Sequence, residues 1–477
     1  MAPAKKKACA HQTLYVDASE HGRNAAGFER IPVEKRIGAT TRAGRVSGAG
    51  DSAAAPVAST FPGPLILPDD DLALCPKYPP QSLRSWANGG YRNKITPERN
   101  TLYVADVPTI DDGAAFMRNW ADPDVEDLID PEEFPKLEHP STEDIMAYLR
   151  AFYHPLPVKL LPTPFKFVKW DDDDGQKGKK TAPSMIGLAA GGSEVVGIRA
   201  RPSPDEIARM QLNLNDLLDA LTGALPADAY AAVMLVAQDM YEDEDDDFCC
   251  GRAFGGSRIS AVSSFRYRPV LDAAFGVEVG HMWPLSHCAG FVREFCRENA
   301  GGGETGTKRK RGRGASASAG SSADDSSVLD LKKTPGTAMG AAVAAARRVV
   351  VPKTAGDQRG LWFSRVARTA AHELGHCFGM DHCVYYACVM QGTAGLGEDA
   401  RQPPYLCPVC EAKLVFGLGE MGVVEGGRNG KWEQEGRRRE VERERMEVMR
   451  GFCEGWMGVG MFAGFKGWLD GRLRELV

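Results

Sequence analysis

Apolar residues recur along this chain with the periods of both helices and strands. A helical repeat covers Ser141–Tyr153, where Ser141 offers an N-cap, and a longer one covers Ser203–Ala224. Tyr230–Val236 is a continuous apolar run, typical of a central strand that is covered on both faces. The pattern therefore predicts an α/β framework, and its shorter apolar strands are expected at Pro157–Leu161, Met185–Ala190 and Glu194–Ala200.

Three features of the pattern concern later parts of the chain. Gly251–Gly256 and then Arg258–Tyr267 alternate with the polarity of an edge strand, and Gly360–Phe378 reads as a helix with one apolar side. Trp432–Trp456 is a charge-dense helical segment whose Glu and Arg residues suit a solvated face, so we expect it to pack loosely against the end of the domain.

The composition indicates that the chain of 477 residues has one folded domain with additional segments. Its 53 glycines and 30 prolines are concentrated in segments that are unsuited to burying a core. Residues 1–70 are predicted to be a largely disordered N-terminal extension, and residues 421–477 a C-terminal helical extension. The domain between them, 71–420, carries a low-complexity insertion at about 299–332.

Net charge and hydropathy limit the kinds of partner that the chain is expected to bind. The net charge of -6 argues against broad nucleic-acid binding, and no run of eighteen apolar residues exists, so no membrane span is predicted. The acidic tracts 171–174 and 242–247 are expected to be solvated loops. A basic run at 308–313 has the composition of a nuclear import signal and equally that of a charged linker. The expected location is intracellular and cytoplasmic, with nuclear import through this run as an open alternative.

The strongest chemical signal is HExxHxxGxxH, formed by the segment from His372 to His382. His372 and His376 are four residues apart, so on a helix both imidazoles face one ion, whereas Glu373 is placed to reach a metal-bound water. Gly379 can take a positive φ, end the helix and bring His382 back to the same ion. Three protein ligands with one open position are typical of a catalytic zinc, and chance is the weaker alternative.

A second metal signal follows the first. Cys383 and Cys388 form C-x4-C, and Cys407 and Cys410 form C-x2-C, which is the donor set of a closed structural zinc. The alternatives are two disulfides or buried free thiols. Cys377 is interpreted as a small packing residue. His281, His287 and Cys288 are irregularly spaced, and we expect them to be packing or surface residues.

HELGHCFGMDHC, VYYACVMQG and YLCPVCEAKL together resemble the archaemetzincin family of zinc metallopeptidases, most strongly over about residues 361–416. The resemblance implies an α/β (α+β) metzincin-like zincin domain with a mixed sheet, an active-site helix and a four-cysteine zinc subdomain. It implies two Zn²⁺ ions per chain and places Met390 beneath the active site. The ligands it implies are His372, His376 and His382 for the catalytic zinc, and Cys383, Cys388, Cys407 and Cys410 for the structural one.

The function that follows is hydrolysis of peptide bonds in a peptide or protein substrate, with Glu373 activating a zinc-bound water. In metzincin-like folds an edge strand holds the extended substrate, and RISAVSSF, residues Arg258–Phe265, is our candidate; an ordinary sheet strand is the alternative. Two other functions stay open: a catalytically silent zinc protein that binds peptides in the cleft, and a zinc module associated with nucleic acid. The sequence predicts no oligomeric state and no cleavage specificity.

Overall fold

A computed structural model gives the fold of the chain. It describes residues 9–17, 20–46, 56–90, 92–124, 135–170, 184–191, 194–254, 256–299, 328–349, 351–420 and 431–476. The acidic tract 171–174, the basic run 308–313 and most of the predicted insertion lie outside the described residues. Among the helices that are described, none combines the length and the apolar content needed to cross a membrane.

Helices and strands alternate along the described parts of the chain, as the α/β prediction requires. The strands are β1 Thr13–Tyr15, β2 Thr101–Ala105, β3 Thr109–Ile110, β4 Val158–Leu160, β5 Phe165–Val168, β6 Met185–Ala190, β7 Val195–Arg201, β8 Gln211–Asn213, β9 Ala229–Val236, β10 Asp239–Tyr241, β11 Gly251–Phe254, β12 Ile259–Ser263 and β13 Val328–Asp330. The helices are α1 Glu20–Ala26, α2 Val33–Ala39, α3 Asp71–Leu74, α4 Leu83–Asn88, α5 Thr142–Phe152, α6 Leu214–Gly223, α7 Ala289–Asn299, α8 Ala338–Ala346, α9 Ala355–Cys377, α10 Leu396–Asp399, α11 Pro408–Glu420, α12 Lys431–Glu454 and α13 Gly460–Glu475.

The sheet that positions the candidate site has five strands in the order β11-β12-β9-β2-β4. β12, β9, β2 and β4 are parallel, and β11 runs antiparallel at one edge. Every residue of β9 is buried, which confirms the predicted central strand. Its side chains alternate between two cores: Val233 and Leu235 pack into one, Met234 and Val236 into the other. A second, six-stranded sheet has the order β10-β8-β7-β6-β5-β3.

The helix that carries the histidine motif is the longest apolar element beside this sheet. α9 begins at a capping box in which the Thr354 side chain accepts from the amide of Asp357 and the Asp357 side chain accepts from the amide of Thr354. Trp362, Val366 and Leu374 are fully buried against the sheet and α5. The predicted helix at Gly360–Phe378 is confirmed, and it begins five residues earlier than expected.

Several of the remaining element predictions are confirmed and two are wrong. Strands occur at the three short apolar segments, and α5 follows Ser141, whose side chain accepts from the amide of Asp144. Ser203–Ala224 is not one helix, because Gln211–Asn213 pairs as β8 with β7 and β10 before α6 begins. The edge-strand assignment of Arg258–Tyr267 is also wrong, since β12 lies between β11 and β9. The edge strand is the preceding one, β11.

The described residues of the stretch 1–70 include regular elements. They form β1, α1 and α2 and contribute buried residues such as Leu14 and Leu67. β1 pairs with β13, which lies more than three hundred residues later in the chain, so neither strand had a local partner in the sequence pattern. The division of the chain into domains at residues 70 and 420 stays a prediction.

The C-terminal helices are packed more tightly than predicted. α13 buries Phe462 and Trp468 completely and packs against α8, and the indole of Trp468 donates to the carbonyl of Thr60. Arg445 of α12 is buried with Glu411 of α11. Burial of an aromatic side chain contributes about 2–3 kcal/mol, so these helices are an integral part of the main core.

Candidate metal centres

The three motif histidines converge at the C-terminal end of α9. Their ring centroids lie 4.7 Å apart for His372 and His376, 5.0 Å for His376 and His382, and 5.5 Å for His372 and His382. One nitrogen from each lies within 4.8 Å of the other two. The convergence depends on Gly379, whose φ of 76° ends the helix and turns the chain back. We call these residues the histidine triad.

Hydrogen bonds fix which ring nitrogens face each other. Nδ1 of His372 donates to the carbonyl of Val389 at 2.6 Å, and Nδ1 of His376 donates to the carbonyl of Met380 at 2.7 Å. Both Nε2 atoms are therefore unprotonated acceptors, and yet they lie only 3.1 Å apart. Burial, and then the neighbouring His382, lowers the pKa of His376 to about 3, so the rings stay neutral. Two acceptor nitrogens this close fit a cation between them, and zinc–nitrogen bonds of about 2.0–2.1 Å match the spacing.

The third histidine is held by residues that the motif does not contain. The ring of Tyr78 lies 5.7 Å from that of His382, and the Gln81 side chain bonds both the carbonyl of Gly379 and the carboxylate of Asp381. Trp86 donates from its indole to the carbonyl of Phe378 at 3.0 Å. The segment 71–88 therefore fixes the turn that follows α9. The sequence analysis missed this role, because nothing local marks it.

Glu373 lies beside the triad and is almost completely buried, with 6% of its surface exposed. Burial raises its pKa to about 8, with Asp399 adding to the rise and Arg252 opposing it. Gly251 of the edge strand lies directly over the carboxylate, since a Cβ atom there would be 2.8 Å from Oε1 of Glu373. The carboxyl group is thus held against strand β11 in a setting that favours a bound proton.

A cavity of about 360 Å³ opens beside this carboxylate, within the size range of ligand pockets. Its lining includes His372, Glu373 and Thr369 from α9, residues 247–251 from the start of the edge strand, and residues 393–396 beyond the triad. The cavity therefore joins a metal-ligating side chain, a buried carboxyl group and the sheet edge.

The four motif cysteines form a second cluster. All four side chains are buried, and their sulfur atoms lie within 4.8 Å of one another; the members of this cysteine cluster are Cys383, Cys388, Cys407 and Cys410. Cys383 and Cys407 have Sγ atoms 3.5 Å apart, near the spacing of about 3.8 Å that tetrahedral zinc–sulfur bonds give. Hydrogen bonds from the other three thiols hold the pKa of Cys383 well below its ordinary value, whereas burial raises that of Cys388.

The same loop connects the two centres. The amide of Cys383 donates to the carbonyl of Met390 at 2.7 Å, and Met390 is fully buried beneath α9. A Cβ atom at Gly375 would collide with Sδ of Met390. Met390 thus lies beneath α9, where the resemblance places it. All twelve cysteines of the chain are free thiols, so the disulfide alternative finds no support.

Two sequence comparisons place this region among known proteins. The family described as "Peptidase family M54" matches residues 332–415. Human archaemetzincin-2 is 22% identical over 371 residues, which covers 77% of this chain and 73% of the human protein. The archaemetzincin of Aeropyrum pernix is 40% identical over 86 residues, covering 18% of this chain and 44% of its own length. The higher identity is therefore concentrated in a short part of the chain.

A structural comparison adds little to the sequence matches. The crystal structure of archaemetzincin from Methanopyrus kandleri is 16% identical, covers 68% of this chain and 98% of its own, and superposes with a TM-score of 0.28. A TM-score this low carries no argument about the arrangement of the whole chain. The motif and the sequence relatives carry the assignment.

Proposed function

We propose that this chain, which matches a peptidase family model and resembles archaemetzincins, holds a catalytic zinc with its histidine triad and uses Glu373 as the general base. The observation that carries the assignment is the 3.1 Å approach of two unprotonated Nε2 atoms in the triad. The donor set of three neutral imidazoles suits zinc and leaves one coordination position open. The match to a peptidase family model disfavours the silent peptide-binding and nucleic-acid alternatives.

The chemistry divides between the metal and the carboxylate. When bound, zinc lowers the pKa of a coordinated water to roughly 7 and polarises a carbonyl oxygen. Glu373 accepts a proton at its carboxylate as water attacks the peptide carbonyl, and it then delivers that proton to the leaving amine. The charge of a bound zinc would oppose the rise in pKa that burial causes, so that Glu373 could be ionised when it accepts the proton.

The substrate is proposed to lie extended along β11. This strand is the sheet edge next to Glu373, and its pairing with β12 leaves its other side without a partner strand among the described residues. Main-chain hydrogen bonds to such an edge hold a peptide in register across the cleft. The Arg252 side chain, about half exposed, stands on this strand and interacts with the charge of Glu373.

The cysteine cluster is proposed to hold a second, structural zinc. The four buried sulfurs lie within 4.8 Å of one another, a spacing that suits tetrahedral coordination of one zinc ion. Such a site is closed and has no room for a substrate, in contrast to the triad. Bound zinc would fix residues 383–410, and through them the carbonyl of Val389 that orients His372.

The test combines metal analysis with peptide-library cleavage on wild type, Glu373→Gln, His376→Ala and Cys410→Ser. Glu373→Gln is expected to keep the zinc content of the wild type and lose cleavage. His376→Ala loses cleavage and about one zinc per chain, and Cys410→Ser loses a different zinc. Glu143→Gln, which changes an exposed glutamate, is the matched control. A Glu373→Gln variant that cleaves at the wild-type rate would refute the assignment of the base.

The location of the protein is part of the same proposal. Twelve free thiols and a proposed all-thiolate zinc site favour a reducing, intracellular compartment. Nuclear import through Lys308–Arg313 is the further possibility that the sequence raises. Imaging of the tagged chain beside a variant with these basic residues changed to glutamine tests it, because import through this run predicts loss of nuclear signal.

A further inference from the structure

A third group of potential metal ligands lies outside both centres. Cys9 and His11, at the N-terminal side of β1, meet Cys288, which directly precedes α7. One ligand atom from each of the three lies within 4.8 Å of the other two, and the two sulfurs are 3.2 Å apart. We propose that Cys9, His11 and Cys288 form a third zinc site, and we call it the N-terminal site.

The backbone of this region is built to bring the three side chains together. Leu14 forms an antiparallel bridge with Cys288, so β1 is aligned against the start of α7. His11 adopts a φ of 44°, a conformation that is uncommon for residues other than glycine and that turns its ring toward the two cysteines. Strained backbone of this kind tends to occur at functional sites. Gly290 adds no side chain here, and a Cβ atom there would lie 3.8 Å from Sγ of Cys9.

The chemistry of the three donor atoms suits a zinc ion better than it suits a disulfide between the two cysteines. Two sulfurs and one imidazole are the soft and borderline ligands that zinc prefers, and the first turn of α7 offers its positive dipole end to a bound thiolate. Burial, and then His281, lowers the pKa of His11 to about 4, so its ring is a neutral ligand at neutral pH. Nδ1 of His11 is buried without a hydrogen-bond partner among the described residues. A fourth position is left for water or for His281, whose ring lies 5.1 Å from that of His11.

A disulfide between Cys9 and Cys288 is less well supported. The two Sγ atoms are 3.2 Å apart, which is longer than the S–S bond of about 2.05 Å in a disulfide. Both residues are free thiols in the structure. Bound zinc would supply the positive charge that lets both thiols lose their protons. Those protons are released as zinc binds.

Zinc at this position would tie the N-terminal segment to Cys288, and residues 283–286 just before Cys288 contact the part of the chain beside the cavity. The amide of Trp283 donates to the carbonyl of Ala400, and the hydroxyl of Ser286 bonds the carbonyl of Arg401. Asp399 and Gln402, on either side of those residues, line the cavity beside Glu373. The N-terminal site thus belongs to the support of the active site and is separate from its chemistry.

The experiment measures zinc per chain in the full-length protein and in Cys9→Ser, His11→Asn and the double variant. These two residues are half-buried, so the changes are less disruptive than one at the fully buried Cys288. Each variant is expected to hold about one zinc per chain less than the wild type, with helical circular dichroism unchanged. Cys75→Ser, at an exposed cysteine outside every cluster, is the control and is expected to keep the wild-type zinc content.

Two further readouts make the outcome decisive. Cobalt titrated into metal-free protein should give less thiolate-to-cobalt charge-transfer absorption in Cys9→Ser than in Cys75→Ser. Adding Cys9→Ser to Cys410→Ser should lower zinc by a further ion, which separates this site from the cysteine cluster. Equal zinc in wild type, Cys9→Ser and His11→Asn overturns the proposal, and so does a Cys9–Cys288 disulfide found by mass spectrometry of the freshly purified, unreduced protein.

Discussion

Gly251 faces Glu373 so closely that a Cβ atom on the glycine would lie 2.8 Å from Oε1 and 3.0 Å from Cγ of the glutamate. These contacts are closer than real Cβ atoms make, so Gly251→Ala must displace the carboxylate toward the cavity or shift the strand. We predict that Gly251→Ala lowers kcat by about tenfold to a hundredfold, because small displacements of a catalytic group are costly. Zinc content should stay at the wild-type level. Cleavage kinetics on a peptide substrate and metal analysis measure both.

A second glycine of the same cavity provides the control for this prediction. Gly395 also lines the cavity, but a Cβ atom there meets nothing within 4 Å. Gly395→Ala is therefore expected to keep kcat within about twofold of the wild type. Unchanged kcat in Gly251→Ala would show that Glu373 does not act from its observed position.

Gly375 and Met390 form a second close pair, in which a Cβ atom at the glycine would overlap Sδ of the methionine. Gly375→Ala should destabilise the fold by about 1–3 kcal/mol through overpacking, although alanine alone favours a helix by about 1 kcal/mol. Combining it with Met390→Ala removes the clash. We predict a coupling of about 1–2 kcal/mol in the double-mutant cycle, measured by denaturant unfolding.

The same helix supplies the comparison for that cycle. Gly356 lies in the first turn of α9, and the nearest atom to its Cβ position is Oγ1 of Thr354 at 3.8 Å, an ordinary contact. Gly356→Ala should be neutral or slightly stabilising. If Gly375→Ala and Gly356→Ala have the same effect, Met390 does not pack under the helix as the structure has it.

The histidine triad and the cysteine cluster differ in burial, which sets the order in which a chelator removes their proposed zinc ions. The triad residues are partly exposed, whereas the exposed fraction of each cysteine in the cluster is 4% or less. We predict that mild chelation abolishes cleavage first, with circular dichroism unchanged, and that the fold is lost only when the second zinc leaves. A time course of zinc release, cleavage and circular dichroism follows this. Added zinc should restore cleavage after the first phase; unfolding before the loss of cleavage would contradict the assignment.

The sequence pattern predicted the metal ligands because each set is local along the chain. Spacing within one helix and one turn determines where His372, His376 and His382 point, and the cysteine pairs follow directly. The motifs also resembled those of archaemetzincins, and the comparisons match residues 332–415 to Peptidase family M54 and find archaemetzincins among the relatives of the chain. The roles of the individual ligands remain a proposal.

The missed features depend on contacts between distant parts of the chain. An alternating strand pattern does not say which strand pairs with which, so β12 was taken for the edge in place of β11. Residues 211–213 carry a helix-compatible pattern, yet sheet pairing decides their conformation. β1 has only three residues, and its partner β13 lies more than three hundred positions away. The N-terminal site was hidden for the same reason, since Cys9 and Cys288 are far apart in sequence.

His139 gives a prediction for the pH dependence of stability. Its Nδ1 donates to the carbonyl of Pro140 at 2.8 Å, and its Nε2 accepts from the hydroxyl of Ser264 at 2.6 Å. Burial lowers its pKa to about 4, whereas the pKa in an unfolded chain is about 6.5. As the pH falls, the folded protein therefore takes up this proton at a pH about 2.5 units lower than the unfolded chain does. The contribution of His139 to the free energy of unfolding is therefore fully present above about pH 6.5. It decreases as the pH falls and stops decreasing near pH 4. We predict that the difference in unfolding free energy between wild type and His139→Gln narrows by about 1–2 kcal/mol from pH 7 to pH 5, measured by denaturant unfolding. A constant difference for His139→Gln would mean that the pKa of its ring is the same in the folded protein as in the unfolded chain.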